Sequence, residues 1–350
     1  MVALATTSAW RDGAAGPGPG GRGGAAACAV PGGGGGAVVF GGADRSPEAF
    51  KDAWLLKQAA GGALAWERPA VRVAGGAALP PRTGATLTAV GAKLYLFGGQ
   101  DPTSGACFND VVALDPATWE WERLSVSGGS PPPRHSHTTC LVNGHCLLVF
   151  GGAGQASLLN DLWVFDTTTC AWTFPTFAGQ CPAAREMHTA TMVTPTDMLV
   201  FAGRNSLGTV LRDAVQLDVA RMRWGRKVET DFPRVAHTAV AFPAAALGLG
   251  RGGDGAAVVV FGGFTGGDIT DDVLVLEPGE ALRARRMEVM QAGHRPGARF
   301  AHVAVPLAEP DGGAPTSMAV FGGVDAERDY DEVAVLELAA CAPLVEELEN

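Results

Sequence analysis

Positive charge is scarce in this sequence. Its 350 residues include 26 lysines and arginines against 36 aspartates and glutamates, a formal net charge of −10, and the basic residues form no cluster. Nucleic-acid binding draws much of its affinity from the neutralisation of phosphates. The charge therefore argues against a nucleic acid as the main partner.

Long apolar runs are also missing. No stretch reaches the roughly 20 apolar residues of a membrane-spanning helix, so we expect no membrane insertion. The opening residues, MVALATTSAWRDG, lack the charged and apolar regions of a secretory signal. Their Ala and Thr content would suit an organelle transit peptide, an alternative that competes with the structural role described below.

Cysteines are few and scattered, at positions 28, 107, 140, 146, 170, 181 and 341. Their number is odd, and no pair has the C-x-x-C spacing of many zinc and redox sites. The pattern argues against a disulfide framework and a zinc site. It favours small buried side chains in a reducing intracellular compartment, the cytoplasm or the nucleus.

Catalytic signatures are sparse as well. The sequence contains no H-E-x-x-H or G-x-S-x-G motif, and its glycine-rich stretches do not open a helix as a phosphate-binding loop does. We therefore expect no enzyme activity, no catalytic residue, no bound metal and no cofactor.

Apolar residues and glycine, in contrast, are abundant. Hydrophobic residues make up 47% of the chain and charged residues 18%, which is enough apolar surface for a sizeable core. The 49 glycines and 23 prolines divide the chain into many short elements.

A repeat runs through the whole chain. Phe-Gly-Gly follows an apolar run in five places, and Phe-Ala-Gly is a sixth, degenerate copy. The small residues after each Phe, at intervals of 57, 53, 51, 60 and 60, are Gly41, Gly98, Gly151, Ala202, Gly262 and Gly322. A period of this length is typical of propellers and solenoids.

Three further signals recur in a fixed order in each unit. Before the glycine pair stands Arg-x-x-His or Arg-x-x-Ala, with its arginines at Arg22, Arg82, Arg134, Arg185, Arg234 and Arg299. After the pair, an acidic residue opens an alternating stretch, at Asp52, Asp110, Asp161, Asp213, Asp272 and Glu332. Last comes a tryptophan at Trp66, Trp121, Trp172 and Trp224, and in the fifth unit Met287 stands in for it.

Each unit predicts four antiparallel β-strands. The apolar runs are short, rich in Val, Leu and Phe, and bounded by Gly, Pro, Asn and Asp. Paired glycines suit a crowded position or one with positive φ. The acidic residue can bond its own backbone to close the loop, and the tryptophan ring can fill the space between adjacent sheets.

These signals resemble the kelch repeat, a four-stranded propeller blade with a diglycine and a spaced tryptophan. The resemblance covers roughly residues 5–338 and implies an all-β, six-bladed kelch-type β-propeller as a single domain. The blades it implies are residues 22–70, 82–124, 134–175, 185–228, 234–290 and 299–338, followed by a tail at 339–350. Leu or Phe replaces the usual Tyr before the acidic turn, so the subfamily stays open.

Closure of the ring requires an outer strand for the sixth blade, because an unpaired edge would be exposed. Ala9-Trp10-Arg11-Asp12 matches the stretch that begins Ala65-Trp66. We therefore expect residues 1–12 to be this closing strand. The rival is the tail from Cys341 to Leu348, which is acidic and contains a proline.

Pseudo-symmetry would gather the six arginines near one mouth of the central channel. In a structural role, each would pair with a loop aspartate or a carbonyl of its own blade. In a binding role, Arg22, Arg82, Arg134, Arg185, Arg234 and Arg299 would read the carboxylate of an acidic or C-terminal peptide. Some kelch adaptors of ubiquitin ligases resemble the second arrangement. The histidines of the motif should pack rather than bind metal, because Ala25 and Ala85 replace them in two units.

The resemblance implies a non-enzymatic scaffold or adaptor that binds a protein partner on the loop face. A metal-dependent kelch enzyme of the specifier or oxidase kind is an alternative. The specifier iron motif E-x-x-x-D-x-x-x-H is absent, however, and only Tyr95 and Tyr330 could serve a copper site. A purely structural subunit of a cytoskeletal or ciliary assembly is the third hypothesis.

Overall fold

The structure is a computed structural model that describes residues 4–14, 17–31, 36–46, 49–59, 62–249, 255–279, 281–291, 295–309 and 313–338. Its strands are Leu4–Asp12 (β1), Ala26–Ala29 (β2), Ala37–Phe40 (β3), Ala53–Gln58 (β4), Leu64–Glu67 (β5), Arg72–Val73 (β6), Thr86–Val90 (β7), Lys93–Phe97 (β8), Val111–Asp115 (β9), Glu120–Arg123 (β10), Ser127–Gly128 (β11), Thr138–Val142 (β12), Cys146–Ala153 (β13), Leu158–Asp166 (β14), Ala171–Thr173 (β15), Thr189–Met192 (β16), Asp197–Phe201 (β17), Asp213–Asp218 (β18), Arg223–Trp224 (β19), Val228–Glu229 (β20), Thr238–Pro243 (β21), Ala256–Phe261 (β22), Val273–Glu277 (β23), Arg283–Gln291 (β24), Val303–Leu307 (β25), Ser317–Phe321 (β26) and Val333–Glu337 (β27). A single turn of 3-10 helix, Ala244–Leu247, follows β21.

The strands form six antiparallel blades of four. Blades 1 to 5 are β2–β5, β7–β10, β12–β15, β16–β19 and β21–β24, and blade 6 is β25–β27 completed by β1. The short strands β6 and β11 add in parallel to the outer strand of the following blade. The long strand β24 does the same with β1, which joins blades 5 and 6 into one eight-stranded sheet.

The N-terminal strand closes the ring. Strand β1 pairs antiparallel with β27, with Ala9 opposite Glu337 and Trp10 opposite Leu336. This pairing confirms the predicted closure of an all-β propeller. The rival strand in the tail lies outside the described residues.

The buried apolar residues fall into six clusters, and each cluster fills one junction between neighbouring blades. Five junctions share a pair of large rings, in which the tryptophan of one blade meets the phenylalanine before the glycine pair of the preceding blade. The centroids are 4.9–5.3 Å apart in Trp10–Phe261, Trp66–Phe321, Trp121–Phe40, Trp172–Phe97 and Trp224–Phe150. The tryptophans therefore fill the space between sheets, as predicted.

The junction between blades 4 and 5 departs from this pattern. The tryptophan of each other blade stands opposite an apolar residue of the third strand, such as Leu114 in blade 2, but its counterpart Leu276 in blade 5 stands opposite Ala284. The prediction that Met287 takes this position is wrong, because Met287 lies opposite Val273 and is buried in the core between blades 5 and 6. Phe232 joins the cluster around Ala284.

Six cysteines in the described part of the chain are free thiols. Only Cys140 among them is buried, and Cys181 is exposed. The expectation that the cysteines are small buried side chains therefore holds for Cys140, holds in part for the four half-buried cysteines and fails for Cys181.

No helix in the described part of the chain has the length and apolar character needed to cross a bilayer.

Trp10 offers a test of the closure. We expect Trp10→Ala to lower the free energy of unfolding by about 3–5 kcal/mol, because its ring is fully buried against Phe261. Urea unfolding measures the change. Phe174→Ala, at a position 62% exposed, is the control and should change stability by less than about 0.5 kcal/mol. Equal unfolding curves for wild type and Trp10→Ala would contradict the closure.

Candidate functional site

The six repeat arginines are buried, each with at most 2% of its surface exposed. In five blades Nη1 donates to the carbonyl of the small residue after Phe, at 2.9–3.1 Å, with acceptors Gly41, Gly98, Gly151, Ala202 and Gly322. The guanidinium also binds the acidic residue of the third strand, and in four blades the Nη1 to Oδ1 distance is 2.7–2.9 Å, with partners Asp52, Asp110, Asp161 and Asp213. In blade 6 the partner is Glu332. These acids bond arginine rather than closing the loop through their own backbone, as the sequence had suggested.

The backbone of the same arginines joins neighbouring blades. The amide of the second glycine in each pair donates to the arginine carbonyl of the next blade, for example Gly99 to Arg134 at 2.8 Å. A Cβ on Gly98 would lie 2.6 Å from that carbonyl oxygen. The glycine pair is therefore needed because the next blade approaches so closely.

Arg234 departs from the pattern. Its Nη1 donates to the carbonyl of Pro233, and its Nη2 binds Asp272 Oδ2 at 3.0 Å. Arg286 binds the same oxygen at 2.9 Å. Burial lowers the pKa of Arg234 below its usual value, although Asp272 opposes this shift.

A ring of backbone hydrogen bonds surrounds the channel at the face where the arginines begin their strands; we call this end of the channel the mouth. The residue two positions after each arginine donates its amide to the carbonyl of its counterpart in the preceding blade, at 2.7–2.9 Å. The six residues of the ring are Gly24, Gly84, Ser136, Met187, Ala236 and Ala301. All have positive φ, between 52° and 67°, a conformation that normally costs non-glycine residues about 1–2 kcal/mol. The closed ring holds them there.

Below this ring, histidine and threonine side chains bridge four junctions. Each histidine Nε2 lies 2.9–3.0 Å from the threonine Oγ1 of the preceding blade, in the pairs His137–Thr86, His188–Thr138, His237–Thr189 and His302–Thr238. Each ring also packs edge-on against the phenylalanine of the preceding blade, at 5.1–5.3 Å. The two junctions of blade 1 lack this bridge, because Ala25 and Ala85 stand at the histidine positions.

The bridging histidines are neutral at ordinary pH. Burial, and then the arginine of the same blade, lowers the pKa of His237 and His302 to about 3. The same two causes hold the pKa of His137 and His188 well below its usual value. Their role is therefore packing between blades, and their hydrogen bonds go to threonine side chains.

A cavity of about 290 Å³ opens at the mouth, lined by the hydrogen-bonded ring together with Thr83, Gln100 and His135. Thr83 and His135 each directly follow a repeat arginine, and Gln100 directly follows a glycine pair. In every blade an isolated β-bridge pairs the residue after the arginine with the residue after the glycine pair. We call them rim pairs: Gly23–Ala43, Thr83–Gln100, His135–Ala153, Glu186–Arg204, Val235–Phe264 and Phe300–Val324.

The rim pairs differ from blade to blade, which divides the mouth into sectors. Blades 2 to 4 contribute polar and charged side chains, and blades 5 and 6 contribute apolar ones. In the polar sector, Nη2 of Arg204 lies 2.5 Å from Oε1 of Glu186, and 44% of the Arg204 side chain is exposed. In the apolar sector, Phe264 and Phe300 are half-buried and so present part of each ring to solvent.

The sequence predicted the six arginines around the channel but not the rim pairs beside them. The six arginines come together around the channel, but their guanidinium groups are turned into their own blades, which are the contacts of the structural role. The rim pairs were missed because they do not repeat. The available signal was position, since each follows a repeat arginine or a glycine pair directly.

Comparisons with known proteins agree with this fold. The family model described as the KLHDC2/KLHL20/DRC7 kelch-repeats domain matches residues 2–195. Acyl-CoA-binding domain-containing protein 5 of Arabidopsis thaliana is 32% identical over 201 residues, which cover 57% of this chain and 30% of that protein. The flagellar outer-arm dynein alpha chain of Chlamydomonas reinhardtii is 32% identical over 190 residues, 51% of this chain and 4% of its own.

Dynein regulatory complex subunit 7 of Chlamydomonas reinhardtii is 36% identical over 124 residues, which are 35% of this chain and 11% of that protein. The matched segments thus span less than a third of these curated relatives.

The histidine bridges predict acid sensitivity. The pKa of each bridging histidine is lower in the folded than in the unfolded protein, so its stabilising contribution is complete above about pH 6.5 and is lost as the pH falls. For His237 and His302 the loss continues towards about pH 3. Each should remove about 1.4 kcal/mol of stability per pH unit in that window. His188→Ala, which copies the alanines of blades 1 and 2, should flatten the slope measured by urea unfolding at a series of pH values. An unchanged slope would rule out these histidines as its source.

The buried arginine pairs predict a large loss of stability. We expect Arg134→Ala to cost about 3–5 kcal/mol, because it leaves Asp161 and the Gly151 carbonyl without their cation. Arg221→Ala breaks an ion pair whose arginine is 81% exposed and should leave the melting temperature unchanged. A folded, equally stable Arg134→Ala protein would instead favour the binding role.

Proposed function

Because the chain belongs to the family of the KLHDC2/KLHL20/DRC7 kelch-repeats domain, we propose that it is a non-enzymatic scaffold or adaptor that binds a protein partner at the channel mouth. The single observation that carries the proposal is the two-sector mouth. A scaffold repeated sixfold places different side chains at equivalent rim positions, as a binding surface with one specific partner requires.

The apolar sector would supply most of the affinity. Phe264 and Phe300 are half-buried, so their rings are held in place but still have surface to lose on binding. Aromatic residues anchored in this way are typical of binding hot spots. The exposed Leu207, at 87%, lies on the loop of blade 4 that carries Arg204 and offers a further apolar side chain for contact.

The polar sector would supply orientation. Arg204 directs Nε and Nη2 to one oxygen of Glu186, and among the described contacts Nη1 has no acceptor. Nη1 of Arg204 would therefore donate a charge-assisted hydrogen bond to the carboxylate of an acidic side chain or of a C-terminus. The six repeat arginines would act indirectly, since they hold the loops that carry the rim.

The partner would accordingly be a peptide segment that combines an apolar residue with a carboxylate. Cytoplasm or nucleus remains the compartment we propose, because the described cysteines are free thiols.

Membership of a larger assembly is a second candidate. Two relatives are named as a dynein alpha chain and a dynein regulatory complex subunit. On blade 3, the exposed ring of Phe174 stacks on Trp163 at 4.8 Å, and such an aromatic pair outside the mouth would suit a fixed contact in an assembly.

Rim substitutions test the first proposal. Arg204→Ala and Phe264→Ala should each weaken partner binding at least about tenfold. Both variants should stay folded, which circular dichroism checks, although Arg204→Ala lowers stability because it leaves the buried Glu186 without its cation. A partner would first be identified by co-purification and mass spectrometry with the wild-type chain, and its affinity then measured with each variant. Arg221→Ala removes a more exposed arginine from the opposite face and is the control.

Two results would count against the mouth as the binding site for the partner. One is unchanged affinity in both rim variants; the other is an equal loss in Arg221→Ala. Loss of the partner in Phe174→Ala alone would favour the assembly hypothesis.

A further inference from the structure

Two hairpin turns of blade 3 meet on the face of the propeller opposite the mouth. His145 and Cys146 follow the turn between β12 and β13, and Asp166 ends β14. Cys146 and Asp166 stand directly opposite each other in the β13–β14 ladder. The sheet therefore brings Asp166 to the adjacent residues His145 and Cys146.

The three side chains lie close enough together to share one metal ion. A ring nitrogen of His145, the Cys146 sulfur and an Asp166 carboxylate oxygen all lie within 4.8 Å of one another. The ligand atoms of a tetrahedral zinc site are roughly 3.3–3.8 Å apart, given metal–ligand distances of about 2.0–2.3 Å. Side-chain rotations that move the ligand atoms of these half-buried residues by about 1 Å would bring them to the spacing of a zinc site.

Surrounding contacts hold the candidate ligands in position. Nδ1 of His145 lies 2.8 Å from the carbonyl oxygen of Asn143, so Nδ1 carries the proton and Nε2 keeps the lone pair that a metal requires. Oδ1 of Asp166 accepts from the amide and hydroxyl of Thr168, at 2.8 and 2.6 Å. The His145 carbonyl accepts from the amide and hydroxyl of Thr167, which ties the two turns together.

The residue opposite the equivalent acid differs from blade to blade. In blade 2, Asp115 is the counterpart of Asp166, and the ladder register places Lys93 opposite it. In blade 4 a second acid, Asp197, stands opposite Asp218, whereas in blade 3 the thiol of Cys146 stands opposite Asp166. Cys146 and Asp166 of blade 3 can therefore both bind one added cation.

We propose that His145, Cys146 and Asp166 form a binding site for a divalent cation of the zinc class. Mixed imidazole, thiolate and carboxylate ligands suit Zn²⁺ or Co²⁺ and do not suit Ca²⁺ or Mg²⁺. Binding replaces the thiol proton by the metal, and the proton leaves to solvent. Three protein ligands leave one coordination position for water or for a side chain from outside the chain. The sequence had predicted no metal, because it was judged by C-x-x-C spacing and not by cross-strand register.

Cobalt substitution tests the site. The full chain, stripped with a chelator under reducing conditions, would be titrated with Co²⁺ and with Zn²⁺. We expect one equivalent to bind, a sulfur-to-cobalt charge-transfer band, and an increase in melting temperature with Zn²⁺. Cys146→Ser should abolish the band and weaken Zn²⁺ binding at least about tenfold.

Cys107→Ser is the matched control, since Cys107 is also a half-buried free thiol, and it should leave the band and the affinity unchanged. His145→Gln serves as a second variant if Cys146→Ser fails to fold, which circular dichroism would show. The site is refuted if the wild-type chain binds neither ion, or if the charge-transfer band persists in both ligand variants.

Discussion

The buried ion pair between an arginine and an acid of the same blade is the interaction on which the rest of this propeller depends. The side chain of the arginine joins the first three strands of its own blade, and its carbonyl receives an amide from the blade before it. One residue thus holds a blade together and fixes its distance from the neighbour. Such a pair contributes specificity as well as stability, because a misplaced partner would leave a charge buried alone.

The consequences of this arrangement spread outward from the arginine. The close approach of the next blade allows no Cβ after the phenylalanine of most blades, and it places the following residues in a closed ring of hydrogen bonds. Histidine, threonine and tryptophan then fill the junctions at successive depths. Because the repeated residues hold the framework, the rim positions between them are not needed for the framework and can vary in sequence. The rim pairs therefore vary from blade to blade, and this is why we propose them as the place of partner recognition.

The sequence predicts the fold well, because every blade needs the same solutions at the same places. Spacing and order alone identify the arginines, the glycine pairs and the strand that closes the ring. The repeat does not predict that Ala284 replaces the tryptophan in blade 5. Phe232, which is not part of the repeat, belongs to the apolar cluster there. Met287 resembled a replacement only because it lies near the expected position in the sequence, whereas the strand ladder decides which side chain faces the core.

The candidate site is less accessible from the sequence. Repetition marks the arginines as important but does not show which way a guanidinium turns, and that depends on the carboxylate available in the same blade. The side chains that differ, such as Glu186, Arg204 and Phe264, carry no recurring signal. Likewise, His145 and Asp166 become neighbours only through the pairing of two strands.

The closing strand has a consequence for attached domains. Strand β1 and strand β27 run side by side in opposite directions, so Leu4 and Glu337 both lie towards the face opposite the mouth. In the relatives, the matching segment is a small part of a longer protein, only 4% of the dynein alpha chain. A domain joined closely to either strand would therefore begin at the face opposite the mouth.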